Sequence, residues 1–299
     1  MRIVTRPDFD GIVCAVLLYQ VEKIDADILW IEPNDIQKGE AHILKGDILA
    51  NLPYSPHCSL WFDHHISNKP ETSFEGAFDI APSAARVIYD CYKKKGSLDN
   101  RYDELVINTD IIDAAALTRD QVHHPENHPY ILLSMTIKNI GFQDRPYWNR
   151  LVDLLRTRDI DQILEEREIK SRCETVIAEN SVYEKHLIQH TKIEQNVSIT
   201  DFRNLDKVPG GNRFLTYSLF PECYASVKIR FDSPKKEKVL ISIGRNIFNR
   251  DCLVNIGNLL GRFGGGGHAG AGGCTLKAST ADHDIMQILE ILFQNKKEI

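Results

Sequence analysis

The chain has 299 residues, of which 42% are hydrophobic and 26% are charged, and it carries a formal net charge of −6. This length favours two domains, because single hydrophobic cores rarely grow to that size. The acidic balance argues against binding of long duplex nucleic acid, which requires a broad basic surface, whereas a few local cations suffice for a small phosphorylated ligand.

The cysteines and the lack of long apolar runs bear on the compartment. The seven cysteines are scattered, odd in number and without a CxxC pair, which predicts free thiols in a reducing compartment. A strand-like segment begins at once, and no apolar run has the length of a signal peptide or a membrane span. We therefore expect a cytoplasmic protein without a membrane partner.

The N-terminal half alternates strand-like and helical segments. We predict strands at 2–6, 27–31, 46–49 and 59–62, helices at 12–21 and 83–93, and another strand or buried segment from Leu105 to Asn108. Strands that alternate with helices are typical of a parallel, doubly wound sheet. The first domain, residues 1–158, is therefore predicted to be α/β.

The C-terminal half begins with a stretch that lacks Gly and Pro, residues 159–191, which predicts a long helix. A connector between domains (159–192) is favoured over an internal helix because the composition changes after it. Strands are predicted at 197–200, 225–231 and 239–243, and helices at 253–260 and 280–293. The second domain, residues 193–299, is predicted to be a smaller α/β domain with a mixed sheet.

Acids and imidazoles recur where strands are expected to end. The run Leu60–Phe62 leads into Asp63, His64 and His65, and ligands of open α/β sheets bind at the carboxyl edge of the strands. Each residue alone is typical of a turn or a helix cap. Together, carboxylates and imidazoles suit Mn²⁺-like ions, and two clustered ions bind phosphoryl oxygens and activate water. The other acids of this pattern are Asp8, Asp10, Asp47 and Asp113, with Asp110 as the alternative to the last.

These motifs, in this order, resemble the successive motifs of the DHH phosphoesterases. A glycine run that ends in His268 resembles the GGGH signature of their C-terminal DHHA1 domain. The resemblance covers nearly the whole chain. It implies two divalent ions, most simply Mn²⁺ with Mg²⁺ or Co²⁺ as alternatives, and a DHHA1 domain that binds the substrate.

The resemblance also implies a role for each acid and imidazole. Asp8 resembles a ligand of the first metal, and Asp10 and His64 resemble ligands of the second. Asp47 and Asp113 resemble the carboxylates that bridge both ions. The remaining two residues are the catalytic candidates: His65 resembles the group that stabilises the transition state or donates a proton, and Asp63 would orient the two imidazole rings.

One position departs from the family pattern. The first motif of the family has a histidine four residues before its first aspartate, and Val4 stands there in this chain. Valine cannot bind a metal ion, so the first metal site is expected to lack an imidazole.

The glycine tract carries its own prediction. Successive glycine N–H groups can form an anion-binding nest, so Gly265, Gly266 and Gly267 are candidates for substrate binding. His268 could bond a phosphate or a base. Arg245 could bind a terminal phosphate through its guanidinium, and a solvated charge at a strand end is an equal alternative.

The sequence therefore predicts a metal-dependent phosphohydrolase or phosphodiesterase. Its expected substrates are short: nanoRNA, linear dinucleotides or bisphosphate nucleotides. The alternatives are an exopolyphosphatase or pyrophosphatase, and a nucleotide-binding protein with weakened catalysis, which Val4 favours. A homodimer is compatible with this prediction.

Overall fold

The computed structural model describes residues 1–138 and 141–297. The chain divides into two compact units, the first formed by Met1–Leu117 and Pro125–Glu174, and the second by Thr118–His124 and the chain from Thr175 onward. The first helical and strand segments are β1 (Arg2–Thr5), α1 (Phe9–Val21), β2 (Leu29–Trp30), α2 (Pro33–Gln37), β3 (Asp47–Ala50), β4 (Leu60–Asp63), β5 (Gly76–Phe78), α3 (Ala84–Lys94) and α4 (Asp103–Asp113).

The chain continues with further helices before the second sheet begins. These helices are α5 (Arg119–His123), α6 (Pro129–Met135), α7 (Arg145–Thr157), α8 (Ile160–Leu164) and α9 (Arg167–His190). The remaining segments are β6 (Thr191–Glu194), β7 (Val197–Asp201), α10 (Leu215–Leu219), β8 (Ala225–Phe231), β9 (Lys238–Arg245), α11 (Ile256–Gly261), β10 (Gly266–His268), β11 (Ala271–Lys277) and α12 (Ala281–Gln294).

The sheet of the first unit is parallel throughout, with strand order β2-β1-β3-β4-β5. On one face, α1 is buried along most of its length and packs against α3, α4 and α7. On the other face, Val4, Leu49 and Trp61 lie in one apolar cluster. The predicted parallel, doubly wound sheet is confirmed. The order reverses between β1 and β3, which makes their carboxyl ends a topological switch point, where such sheets bind ligands.

The sheet of the second unit is mixed, with strand order β10-β11-β9-β8-β7-β6. Only β7 and β8 pair in parallel among the strands of this sheet in the described chain; the other pairs are antiparallel. Apolar residues of β8, β9 and β11 alternate toward one face, where α11 and α12 cover them. The predicted mixed sheet is confirmed, and the edge strands β6 and β10 were not predicted.

The segment that begins at Leu105 was predicted to be a strand or a buried segment, and only the strand alternative is wrong, since Leu105 and Val106 are buried. Leu105–Asn108 lies within helix α4, not in a strand. Leu105, Val106 and Thr109 are its buried residues, and Asp103 and Glu104 in the first turn suit the positive end of a helix dipole. A short apolar run does not by itself separate a strand from a buried helix.

The three tryptophans lie in the first unit, and each is buried: Trp30, Trp61 and Trp148. Trp30 and Trp148 pack edge to face, with ring centroids 5.6 Å apart. In the described part of the chain, no helix combines the length and apolar character that crossing a membrane requires.

Candidate active site

The cluster at the switch point begins with Asp10, in the first turn of α1. Its carboxylate is buried and accepts hydrogen bonds from the backbone N–H groups of Ala84 and Ala85, at 2.9 and 2.8 Å, in the first turn of α3. A helix N-terminus stabilises a negative charge. Burial nevertheless raises the pKa of Asp10 to about 7, and the nearby carboxylate of Asp8 adds to this shift.

His64, directly after β4, faces this carboxylate. Its Nδ1 lies 2.9 Å from the carbonyl oxygen of Ala81. A carbonyl oxygen only accepts, so Nδ1 carries the proton and the lone pair of Nε2 points into the cluster. Nε2 lies 3.3 Å from Asp113 and 4.0 Å from Asp10, and it is buried without a hydrogen-bond partner.

Asp113 reaches the cluster from the last residue of α4. Its side chain is 27% exposed, and burial together with Asp10 raises its pKa to about 7. The ligand atoms of Asp10, His64 and Asp113 lie within 4.8 Å of one another. An imidazole nitrogen that faces two carboxylates is unfavourable unless a proton or a cation joins them, and these donor types fit a divalent ion.

The alternative acid, Asp110, has other partners. Its carboxylate accepts two hydrogen bonds from Arg86, at 2.7 and 2.9 Å, and one from the hydroxyl of Ser83. Ser83 also caps α3 through the backbone N–H of Arg86, as the sequence predicts. Asp113 therefore belongs to the cluster, and Asp110 holds α3 and α4 together.

The fully buried carboxylate of Asp63 orients His65. Its Oδ1 lies 2.8 Å from Nδ1 of His65 and accepts from the backbone N–H of His64, while Oδ2 accepts from the side chain of Asn68. The hydrogen bond to Asp63 raises the pKa of His65. Asp63 thus orients one of the two rings, and Ala81 orients the other.

Asp8 lies beside the cluster, with hydrogen bonds to one of its oxygens and an ion pair at the other. Oδ1 accepts from the backbone N–H of Gly11 at 2.8 Å and from the side chain of Asn51 at 3.1 Å. Oδ2 lies 3.3 Å from Nε of Arg6. Burial raises the pKa of Asp8, and the charge of Arg6 opposes this shift. Gly11 is required here because a Cβ would collide with the backbone of Arg6.

Asn51 and Arg6 were not among the residues predicted for this site. Asn51 follows β3 in the left-handed conformation, with φ of 56°, which asparagine tolerates better than most residues. It is buried, and its side-chain oxygen has no hydrogen-bond partner. Its position directly after the apolar run Ile48–Ala50 is the signal that could have found it.

The structure does not bring Asp47 to the cluster. It begins β3 and pairs in register with Arg2, at the amino edge of the sheet, whereas the cluster lies at the carboxyl edge. The guanidinium of Arg2 donates to both its oxygens, at 2.9 and 2.7 Å, and the backbone N–H of Leu44 donates as well. The expectation that Asp47 bridges two metals is corrected by this geometry, because the acid precedes its strand.

The raised pKa values predict how pH affects metal binding. Protonation of Asp10 and Asp113 is favoured in the folded, metal-free protein up to about pH 7, so this pair stabilises that form at low pH and the contribution is lost as pH rises from about 4 through 7. A metal ion must displace those protons. We expect Mn²⁺ to raise the melting temperature little at pH 6 and more at pH 8.

Differential scanning fluorimetry of metal-depleted protein, with and without Mn²⁺, measures this difference. Asp113→Asn is the control, since it removes one of the two titrating ligands and should leave a small Mn²⁺ effect throughout. An equal Mn²⁺ effect at pH 6 and pH 8 in the unaltered chain would contradict the prediction.

In the second unit, the glycine tract forms a hairpin of β10 and β11 and not the predicted nest of consecutive N–H groups. Gly257 of α11 approaches this hairpin so closely that a Cβ would lie 2.5 Å from the carbonyl oxygen of Gly267. The tract thus allows strand and helix to pack closely. His268 is exposed at the end of β10.

The register places His268 on the same face of the sheet as Lys228, opposite the apolar core. His268 pairs with Ala271, Ala271 pairs with Gly244, and Gly244 pairs with Ser226 on β8. Lys228 follows Ser226 by two residues, and residues two apart on a strand point to the same face. Other polar residues of this face, called the polar face below, are Thr200, Ser226, Arg230 and Ser242.

Lys228 has no hydrogen bond and no ion pair within the described chain. Burial lowers its pKa, and the charges of Arg230 and Arg213 lower it further. A lysine with two arginines and no carboxylate beside it favours an anionic ligand. Lys228 was not among the predicted site residues, because alternation along β8 does not reveal which strands flank it.

Arg245, at the end of β9, donates two hydrogen bonds to the carbonyl oxygen of Val254, at 3.0 and 2.5 Å. The guanidinium therefore orders the segment before α11. Its predicted contact with a terminal phosphate stays a prediction.

Comparison with known proteins finds similarity over the full length of the chain. No protein-family model and no curated protein matches the chain. The pGpG-specific phosphodiesterase PggH from Vibrio cholerae has 32% sequence identity and a TM-score of 0.87, with 99% of each chain covered.

More distant structures share the fold alone. RecJ from Thermus thermophilus, solved with Mn²⁺, has 14% identity and a TM-score of 0.59, and this chain spans 52% of it. A DHH domain from a member of the s1p family of ribosomal proteins has 10% identity and a TM-score of 0.61, with 99% of this chain and 87% of that one covered.

Proposed function

The chain belongs to the DHH/DHHA1 family of phosphoesterases and is a phosphoric ester hydrolase, and from this membership we propose that it hydrolyses the phosphodiester of short linear dinucleotides. The observation that carries the proposal is the donor set of Asp10, His64 and Asp113, whose ligand atoms converge, with Nε2 of His64 buried and without a hydrogen-bond partner. The full-length similarity to a pGpG-specific phosphodiesterase supports the substrate class.

Asp10, His64 and Asp113 would hold a divalent ion, for which Mn²⁺ is the first candidate. Such an ion supplies positive charge that polarises a phosphoryl oxygen and makes water more acidic. Hydrolysis forms one bond from water oxygen to phosphorus and breaks the ester bond; the attacking water loses a proton to the solvent, and the leaving oxygen takes up a proton. With Nδ1 held by Asp63 and a raised pKa, His65 is suited to donate that proton from Nε2.

The polar face of the second unit supports a substrate with more than one charged part. His268 lies on β10 and Lys228 on β8, and two other strands separate these in the sheet. At the usual spacing of neighbouring strands, β10 and β8 lie about 14 Å apart. Lys228 would bind a phosphate, and His268 a phosphate or a base. Gly265, Gly266 and Gly267 would leave this part of the face open, since glycine has no side chain.

The experiment is a substrate panel with Mn²⁺: pGpG, a bisphosphate nucleotide, pyrophosphate and polyphosphate, with products separated by chromatography. We expect pGpG to be cleaved to mononucleotides fastest and all turnover to stop with excess chelator. Preference for polyphosphate or pyrophosphate would reject the proposed substrate class. Full turnover after verified metal removal would reject metal dependence, and tight pGpG binding without turnover would identify a binding protein.

A further inference from the structure

We propose that this site holds one divalent ion and that Arg6 takes the place of the second ion that the family resemblance implies. This inference rests on the proposed function, because it concerns the same cluster. The two halves of the site differ. In one half, ligand atoms of Asp10, His64 and Asp113 converge, and in the other half Asp8 is already paired with Arg6.

In the half around Asp8, a cation of the protein already faces the acid, and no imidazole is present at the position of the family histidine. Gly11 and Asn51 donate to one oxygen of Asp8, and the other oxygen faces Arg6. The family histidine is replaced by Val4, which is fully buried in an apolar cluster. A second ion at Oδ2 of Asp8 would have to displace the guanidinium of Arg6.

Arg6 occupies the position of a cation. Its Nε lies 3.3 Å from Asp8 and 3.6 Å from Glu32, and it is buried without a hydrogen bond. The group is thus held between two carboxylates by charge. A guanidinium cannot lose its proton near neutral pH, so it supplies this charge permanently.

The charge balance agrees with one ion. The predicted ligand set contained Asp47, which the structure assigns to Arg2 at the opposite edge, and the neutral Asn51 follows the same strand. Loss of one carboxylate and gain of one guanidinium make this half of the site less negative, even with Glu32 beside Arg6, and so less attractive to a second divalent ion. Asp10, His64 and Asp113 retain the donors for the other.

The test is the Mn²⁺ stoichiometry of metal-depleted protein, measured by isothermal titration calorimetry and by elemental analysis after gel filtration. We expect one equivalent per chain. Two equivalents would overturn this inference and leave the proposed metal-dependent function standing. No bound Mn²⁺ would overturn both.

The double variant Arg6→Ala, Asn51→Asp tests the role of Arg6 directly. Removing the guanidinium and adding a carboxylate should raise the stoichiometry from one equivalent to two. The matched control is Arg150→Ala, because Arg150 forms its ion pair with Glu166, apart from the cluster, and should leave one equivalent. A folded double variant that still binds a single ion would show that Arg6 does not replace the second one.

Discussion

Replacing His64 with alanine should lower kcat/KM by about 10²–10³-fold, the loss typical of removing one preorganised electrostatic group. The reason is geometric: Nε2 is the only nitrogen that faces both Asp10 and Asp113 among the described residues of the cluster. Mn²⁺ affinity should fall by at least about 10–100-fold, since even partners of metal ligands have that effect. Steady-state kinetics and calorimetric Mn²⁺ titration measure the two losses.

The matched control is Asp47→Asn, a change to an acid of the same unit at the opposite edge of the sheet. It weakens the bidentate pair with Arg2, so we expect a lower melting temperature with nearly unchanged Mn²⁺ affinity and turnover. If Asp47→Asn removed metal binding and His64→Ala did not, the assignment of the site would be reversed. Circular dichroism establishes that both variants fold.

Replacing Lys228 with methionine should raise KM for pGpG by about 10–100-fold, because a hydrogen bond to a charged group contributes about 1.5–3 kcal/mol. The metal cluster is formed by other residues, so Mn²⁺ affinity should not change. The same change should raise the melting temperature. Methionine has a similar length without the charge, and in the free protein that charge lies near Arg213 and Arg230 without an acid.

The control is Lys277→Met, which removes an exposed lysine from β11 of the same sheet. It should leave KM and melting temperature nearly unchanged. The informative result for Lys228→Met is weaker substrate binding together with a higher melting temperature. A lysine with a merely structural role would not give this combination. Unchanged KM in that variant would remove the polar face from the substrate site.

The part of the site that follows strand ends could be predicted from sequence. The apolar run of β4 leads directly into Asp63, and Asp8-x-Asp10 follows β1 after Arg6 and Pro7. The chain order of strands and helices places these residues at one edge of the sheet. Asp47 was misplaced because it precedes its apolar run, and an acid before a parallel strand lies at the other edge. The first polar residue after that run is Asn51, which carries no charge and gave no metal-ligand signal.

Contacts distant in the sequence could not be predicted. Asp10 accepts from backbone groups of α3 that lie 74 and 75 residues later in the chain. Asp113 reaches His64 from the end of a helix whose apolar run also fitted a strand. The sequence of β8 indicates that buried and less buried side chains alternate along the strand. Whether an acid lies beside Lys228 depends on residues from other strands and loops, which that pattern does not show.

The distribution of the tryptophans means that tryptophan fluorescence comes from the first unit. The first unit buries three tryptophans: Trp30, Trp61 and Trp148. Among the fluorescent aromatic residues, the described part of the second unit contains tyrosine and phenylalanine but no tryptophan. Fluorescence excited at wavelengths that only tryptophan absorbs therefore follows the unfolding of the first unit. Far-ultraviolet circular dichroism follows the backbone structure of both units. Because two-state melting requires all probes to give the same transition, the two signals together distinguish independent melting of the units from a single cooperative event without any label.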